Sequence, residues 1–161
     1  MRARAPWPLP ERDPTVVLTS GLLVVDANRR WRALHLPFAE RGDLAQMVFT
    51  DPAAASFYAD LRHEEYDVVA LLLDAVADER TRSEAEAAVD RLRERSARFD
   101  RLWAGPRVRP RLLDTYAVRH PDLGDVAFAR RTVRGDGLVV RVSTPHPASA
   151  RLLPLLDHLP V

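Results

Sequence analysis

The residues best able to do chemistry are the five histidines, His35, His63, His120, His146 and His158. No two of them have the spacing of a zinc-binding helix. His63-Glu64-Glu65-Tyr66-Asp67 begins like a metalloprotease helix but sets Asp67 where the second histidine must stand. With no cysteine, the chain has no thiol nucleophile, disulfide framework or cysteine zinc site. Ser20, Ser56, Ser96, Ser143 and Ser149 all lie outside a Gly-x-Ser-x-Gly elbow, and the six glycines form no phosphate-cradling loop. Glu64-Glu65 and the Glu84/Glu86 pair fall on predicted outer helix faces or at a cap, where solvated charges are the simpler reading. His120 precedes Pro121 and reads as a turn residue bonded to backbone. These patterns lead to a chain with no catalytic residues, no metal site and no cofactor, and so not an enzyme.

A second set is distinguished by size. Phe49, Phe57, Tyr58, Phe99, Trp103 and Phe128 are either plain core or the lining of a pocket, because an interior rich in aromatic and aliphatic side chains with few polar groups is what an apolar ligand requires.

The elements that must position these residues follow from periodicity. Thr15–Thr19 and Leu22–Val25 read as strands of a hairpin turned at Ser20-Gly21. Trp31, Leu34 and Phe38 have helical spacing up to Pro37, and Asp43 caps a helix through Leu44, Met47 and Val48. Asp51-Pro52 then starts a helix that carries Phe57, Tyr58 and Leu61 on one face. The run Tyr66, Val69, Ala70, Leu73, Ala77 forms one apolar stripe, with Val68, Leu71, Leu72, Ala75 and Val76 opposite it, so this helix is buried on more than one side. Ser83 and Glu86 fit a capping box for a helix running to Trp103, stopped by Gly105-Pro106 and braced by a Glu94–Arg98 pair. Three strands follow, near Leu112–Arg119, Gly124–Val133 and Leu138–Thr144, and a short helix over Ser149–His158 closes the chain. Two strands, helices and three more strands predict an α+β fold: a five-stranded antiparallel sheet with the helices packed over one face.

The totals limit what the fold can do. The 161 residues suit one domain, over residues 15–161, preceded by a flexible Pro/Arg-rich tail over residues 1–14 in which Trp7 is free to dock back. All 24 basic residues are Arg, set against 23 acidic ones, so at net charge +1 no global field favours nucleic acid or an anionic membrane. No apolar run approaches the roughly 20 residues of a membrane span. The N-terminus lacks the apolar stretch of a secretory signal, and the expected location is cytoplasmic.

Several of these residues together resemble a family. Asn28 after the hairpin, Phe49-Thr50-Asp51-Pro52-Ala53-Ala54 with Tyr58, then Leu92, Arg95, Ser96, Phe99, Leu102 and Trp103, His120-Pro121 with Gly124, and Leu138-Val139-Val140 before Pro145 occur in the order found in the MmyB-like transcription-regulator ligand-binding domain, common in actinobacterial regulators. The resemblance implies a PAS-like sensor domain with a pocket between sheet and helices for a fatty acid or similar apolar ligand. Members usually carry an N-terminal helix-turn-helix domain, so the chain resembles the sensor half without the DNA-reading half. Ala27, Leu61 and Pro106-Arg107 stand where the family usually has Trp, Trp and His-Asp.

On that basis the expected pocket wall is Phe49, Phe57, Tyr58, Leu72, Phe99, Trp103, Phe128 and Val140, with Tyr58 or Arg95 anchoring a carboxylate head. The expected partners are a fatty-acid-like small molecule and either a second copy or a separate DNA-binding protein, with no direct nucleic-acid binding by this chain and no membrane. The competing reading is a protein-protein interaction module with a packed interior and no ligand. An enzyme built on a sensor fold is the third, since fold does not fix function.

Overall fold

The computed structural model describes residues 8–161; the expected docking of Trp7 lies outside them. Strand β1 (Thr15–Thr19) turns into β2 (Val24–Ala27). Six helices follow: α1 (Arg29–Leu34), α2 (Leu44–Phe49), α3 (Ala54–Phe57), α4 (Leu61–Ala77), α5 (Arg82–Arg95) and α6 (Ala97–Trp103). The chain then returns through β3 (Leu113–His120), β4 (Gly124–Gly135) and β5 (Leu138–Pro145) and ends in a 3-10 helix, Ala150–His158. The strands form one antiparallel sheet in the order β2-β1-β5-β4-β3, so the first hairpin joins the last three strands along β5. This is the expected α+β, PAS-like arrangement.

Alternation assigns the sheet faces. Val126, Phe128, Arg130 and Thr132 of β4 are buried, as are Val139, Arg141 and Ser143 of β5 and Asp114, Val118 and His120 of β3. Their neighbours point to the other face, where Leu113 and Val133 are 69% and 54% exposed. Helices α1–α6 pack over the first face. Leu18, Leu34, Met47, Phe57, Leu72, Phe99 and Phe128 form one continuous core beneath them, each large apolar side chain contributing about 1.5–3 kcal/mol on burial.

The turns have specific causes. Asp136 and Gly137 both take positive φ between the paired residues Gly135 and Leu138, the conformation that matches a two-residue loop to the twist of its strands. Gly21 lies so close to α5 that a Cβ there would meet the Glu84 carbonyl oxygen at 3.2 Å. Residues before β1 are tied down by Asn28, whose amide group donates to the Pro10 and Asp13 carbonyls at 2.6 and 2.7 Å while its oxygen accepts from the Thr15 and Trp31 amides.

Three helix expectations are corrected. The helix after Asp51-Pro52 stops at Phe57; Tyr58 is extended and pairs with Val118 of β3, and Asp60 caps a new helix at Leu61. No capping box forms at Ser83, because α5 already begins at Arg82, with Thr81 donating to the Ala75 carbonyl and Glu84 accepting from Ser20 instead. The helix to Trp103 breaks at Ser96, which leaves helical geometry to cap α6 by accepting from the Phe99 amide. The break separates Glu94 from Arg98: Arg98 pairs with Glu65 at 2.9 Å, and Arg93 with Asp100 at 2.6 Å.

Candidate functional site

Helix α4 is turned so that Glu64 and Asp67, not Tyr66, meet the sheet. Glu64, Glu65 and Asp67 are buried, whereas Tyr66 is 39% exposed. The expectation that Glu64-Glu65 is a solvated pair is therefore wrong. The reason for Glu64 is the facing strand pair, where β4 and β5 each place one arginine on the inner face, and for Glu65 it is Arg98 of α6.

Arg130 donates to both oxygens of Glu64 at 2.8 and 3.2 Å and to both oxygens of Asp114 at 3.2 and 2.7 Å, with Asp67 3.4 Å away. Its guanidinium lies 4.3 Å from the centre of the Tyr116 ring. Arg141 donates to Asp67 at 2.6 Å and to the Thr132 hydroxyl at 3.3 Å. His63 contacts Asp114 at 2.9 Å, its Nε2 serving as donor to the carboxylate. Burial disfavours charge on Arg130, but Glu64 and Asp67 overcome it and hold its pKa well above the ordinary value. Burial likewise opposes the Asp114 carboxylate, and Arg130 with His63 pulls its pKa below the ordinary range. Two guanidinium groups thus meet three carboxylates under α4, a fully hydrogen-bonded array of the kind that stays charged in a protein interior.

Next to this array, between sheet and helices, is a cavity of about 20 Å³, room for about one water. Val16, Trp31 and Leu44 supply apolar wall; Tyr58, Glu64, Tyr116, Arg130, Arg141 and Ser143 supply polar groups. Tyr116 and Ser143 share a hydroxyl hydrogen bond of 2.7 Å. Burial raises the pKa of both tyrosines, most strongly Tyr58, where Glu64 adds to it, so each keeps its proton at neutral pH. His35 stacks on Trp31 at 4.2 Å, and burial lowers its pKa to about 4, leaving it neutral. His120 is bonded to backbone, at Ala33 and Asp122, as its place before Pro121 suggests.

A family model described as MmyB-like transcription regulator ligand binding domain matches residues 11–159. The chain belongs to this family. No curated protein matches it. Membership makes the chain a regulatory ligand-binding domain. No helix among the described residues is long and apolar enough to cross a membrane.

Within this MmyB-like domain the sequence-predicted wall is scattered over several places. Tyr58 lines the cavity. Phe57 lies behind it, 5.0 Å away and edge-on, and Phe128 lies behind Tyr116, stacked at 5.3 Å. Phe49, Phe99 and Trp103 form a separate aromatic cluster, with ring spacings of 5.1 and 5.7 Å, and Leu72 is packed in the core. Val140 alternates with the inward Val139 and Arg141, so it belongs to the other face of the sheet and cannot line an interlayer pocket. Arg95 is exposed on α5, 3.4 Å from the Gln46 side chain, away from the cavity. Sequence reasoning missed Glu64, Asp67, Asp114, Arg130 and Arg141. A signal was present: Arg130 and Arg141 sit at alternating inward positions among valines and Phe128, where an unpaired charge is costly and a buried partner is required.

Proposed function

We propose that the chain is a sensor that admits an amphiphile, with an aliphatic body and a hydrogen-bonding head, between α1–α4 and the sheet. The observation that carries this reading is the mixed lining of the interlayer cavity, with apolar Val16, Trp31 and Leu44 on one side and Tyr58, Tyr116, Ser143 and Arg130 on the other. A fatty acid is the simplest such ligand. Its body extends toward Phe57 and Phe128, and each methylene withdrawn from water contributes about 0.8 kcal/mol before ordering costs.

With room for about one water, the cavity must open to accept a chain. Helices α1, α2 and α3 have six, six and four residues, whereas the 17-residue α4 is held to the sheet through Arg130 and Arg141. The short helices are the elements that move. A carboxylate head adds a fourth anion to the array, so it binds by taking the place of Glu64 on Arg130. The output partner is a second copy of the chain or a separate DNA-binding protein, in the cytoplasm.

The test is titration with saturated fatty acids of increasing length, together with mass spectrometry of anything released from the purified protein by denaturation. Affinity and melting temperature rise with chain length until the space is filled, and Glu64→Gln strengthens binding by removing the competing anion. A flat response across the series, with nothing released, replaces this reading with the packed interaction module.

A further inference from the structure

A second, larger recess lies outside the interlayer cavity. It has a volume of about 360 Å³, within the range of small-molecule sites, and runs between α4 and the segment joining α6 to β3. His63, Asp67 and Asp114 border it, and both carboxylates are already engaged by Arg130 and Arg141. Their negative charge is therefore compensated before any ligand arrives. Arg109 and Arg111, on the connecting segment, face the same recess, are exposed, and make no ion pair or side-chain hydrogen bond among the described residues. Tyr66, displaced from the core by the acidic face of α4, offers its ring to this recess, and the Arg62 guanidinium lies 6.0 Å from the ring centre as a further cation at the rim.

We propose that this recess is a binding site for a small organic anion with a planar body, one or both guanidinium forks of Arg109 and Arg111 taking its carboxylate and Tyr66 packing against its plane. The chemistry follows from the parts. A guanidinium fork matches a carboxylate in two parallel hydrogen bonds, and an aromatic ring favours an offset planar partner. A cation has no free carboxylate to meet here. The site is separate from the interlayer cavity, which lies on the other side of the Arg130 array.

The experiment is a titration of the full chain with benzoate, benzylamine and inorganic phosphate, followed by backbone amide shifts and calorimetry. Benzoate is expected to shift amides around residues 62–70 and 106–114. Its affinity is expected to fall at least about ten-fold in the Arg109→Gln/Arg111→Gln double variant, whose changes are at exposed positions, and to stay the same in Arg151→Gln, an exposed position on the closing 3-10 helix. Phosphate, lacking a planar body, binds at least about ten-fold more weakly than benzoate. The proposal is overturned if benzoate leaves these amides unmoved, if the double variant binds it as well as the wild type, or if benzylamine binds more tightly. Because fatty-acid binding is read through Glu64→Gln, failure at either site leaves the other result intact.

Discussion

Arg130 of β4 and Glu64 of α4, 66 residues apart in the chain, face each other through two hydrogen bonds of 2.8 and 3.2 Å, with both side chains almost wholly buried. The pair fixes the rotation of α4 on the sheet, and Asp114 and Asp67 complete the shell around the guanidinium. Removing one partner of such a pair is costly because the other remains charged in a low-dielectric setting. Arg130→Met is expected to lower stability by about 3–5 kcal/mol at pH 7, measured by urea unfolding, and Arg130→Met/Glu64→Leu to recover the part of that loss due to Glu64, Asp114 still lacking its guanidinium. A double-variant loss equal to the sum of the Arg130→Met and Glu64→Leu losses would mean that the pair is not coupled.

Asn28 joins the start of β1, the first turn of α1 and the segment before β1 through four side-chain hydrogen bonds. Asn28→Ala strands the Thr15 and Trp31 amides and is expected to cost about 2–4 kcal/mol. Asn28→Asp keeps the acceptor but turns a second oxygen toward the Pro10 and Asp13 carbonyls. Its melting temperature should fall at least as far, and a milder effect than alanine would show that those two carbonyl contacts carry little.

His35 gives the protein a defined acid sensitivity. Burial, reinforced by the charges of His120, Arg130 and Arg41 and opposed by the Trp31 carbonyl, lowers its pKa from 6.5 to about 4. As pH falls below 6.5 the unfolded chain takes up a proton that the folded protein refuses until near pH 4. Stability therefore drops across that window, by about 3 kcal/mol once the lower value is passed. Asp114, Asp157 and Asp78, whose folded pKa values are depressed, add losses only at lower pH, as their unfolded carboxylates protonate. Unfolding free energies measured between pH 6.5 and 4.5 should slope downward with acid in the wild type and more weakly in His35→Leu; parallel slopes would remove His35 from the account.

Phe99 is fully buried between the Phe49 ring and Trp103. Phe99→Ala leaves a cavity at a junction of α2 and α6 and is expected to cost about 3–5 kcal/mol in urea unfolding. The neighbouring Trp103 reports the change by fluorescence. A loss below about 1 kcal/mol would mean that the helices close over the gap.

Local information was enough for the strands. The β-branched run at Val16-Val17, the Asp136-Gly137 turn and the alternation through Val126, Phe128 and Thr132 each act within a few residues, and the observed β1, β3, β4 and β5 lie close to their sequence-read bounds. Asp43 likewise caps α2 by a contact three residues away. The order of motifs from Asn28 to Pro145 was also sufficient to place the chain in its family.

The site was decided by tertiary structure, because it depends on partners far apart in sequence. On periodicity alone α4 is apolar on both sides, so Tyr66 inward and Glu64 outward is as good a solution as the reverse. Arg130 and Arg141, arriving from strands more than 60 residues later, break that tie. The break at Ser96 and the extension at Tyr58 have the same origin. Each residue leaves helical backbone geometry while keeping its amide bond to the preceding turn, Ser96 where α6 turns to bury Phe99 and Tyr58 where the chain meets β3. A buried charge is tolerated only where its counter-charge is delivered, and that delivery is a property of the folded arrangement rather than of any segment.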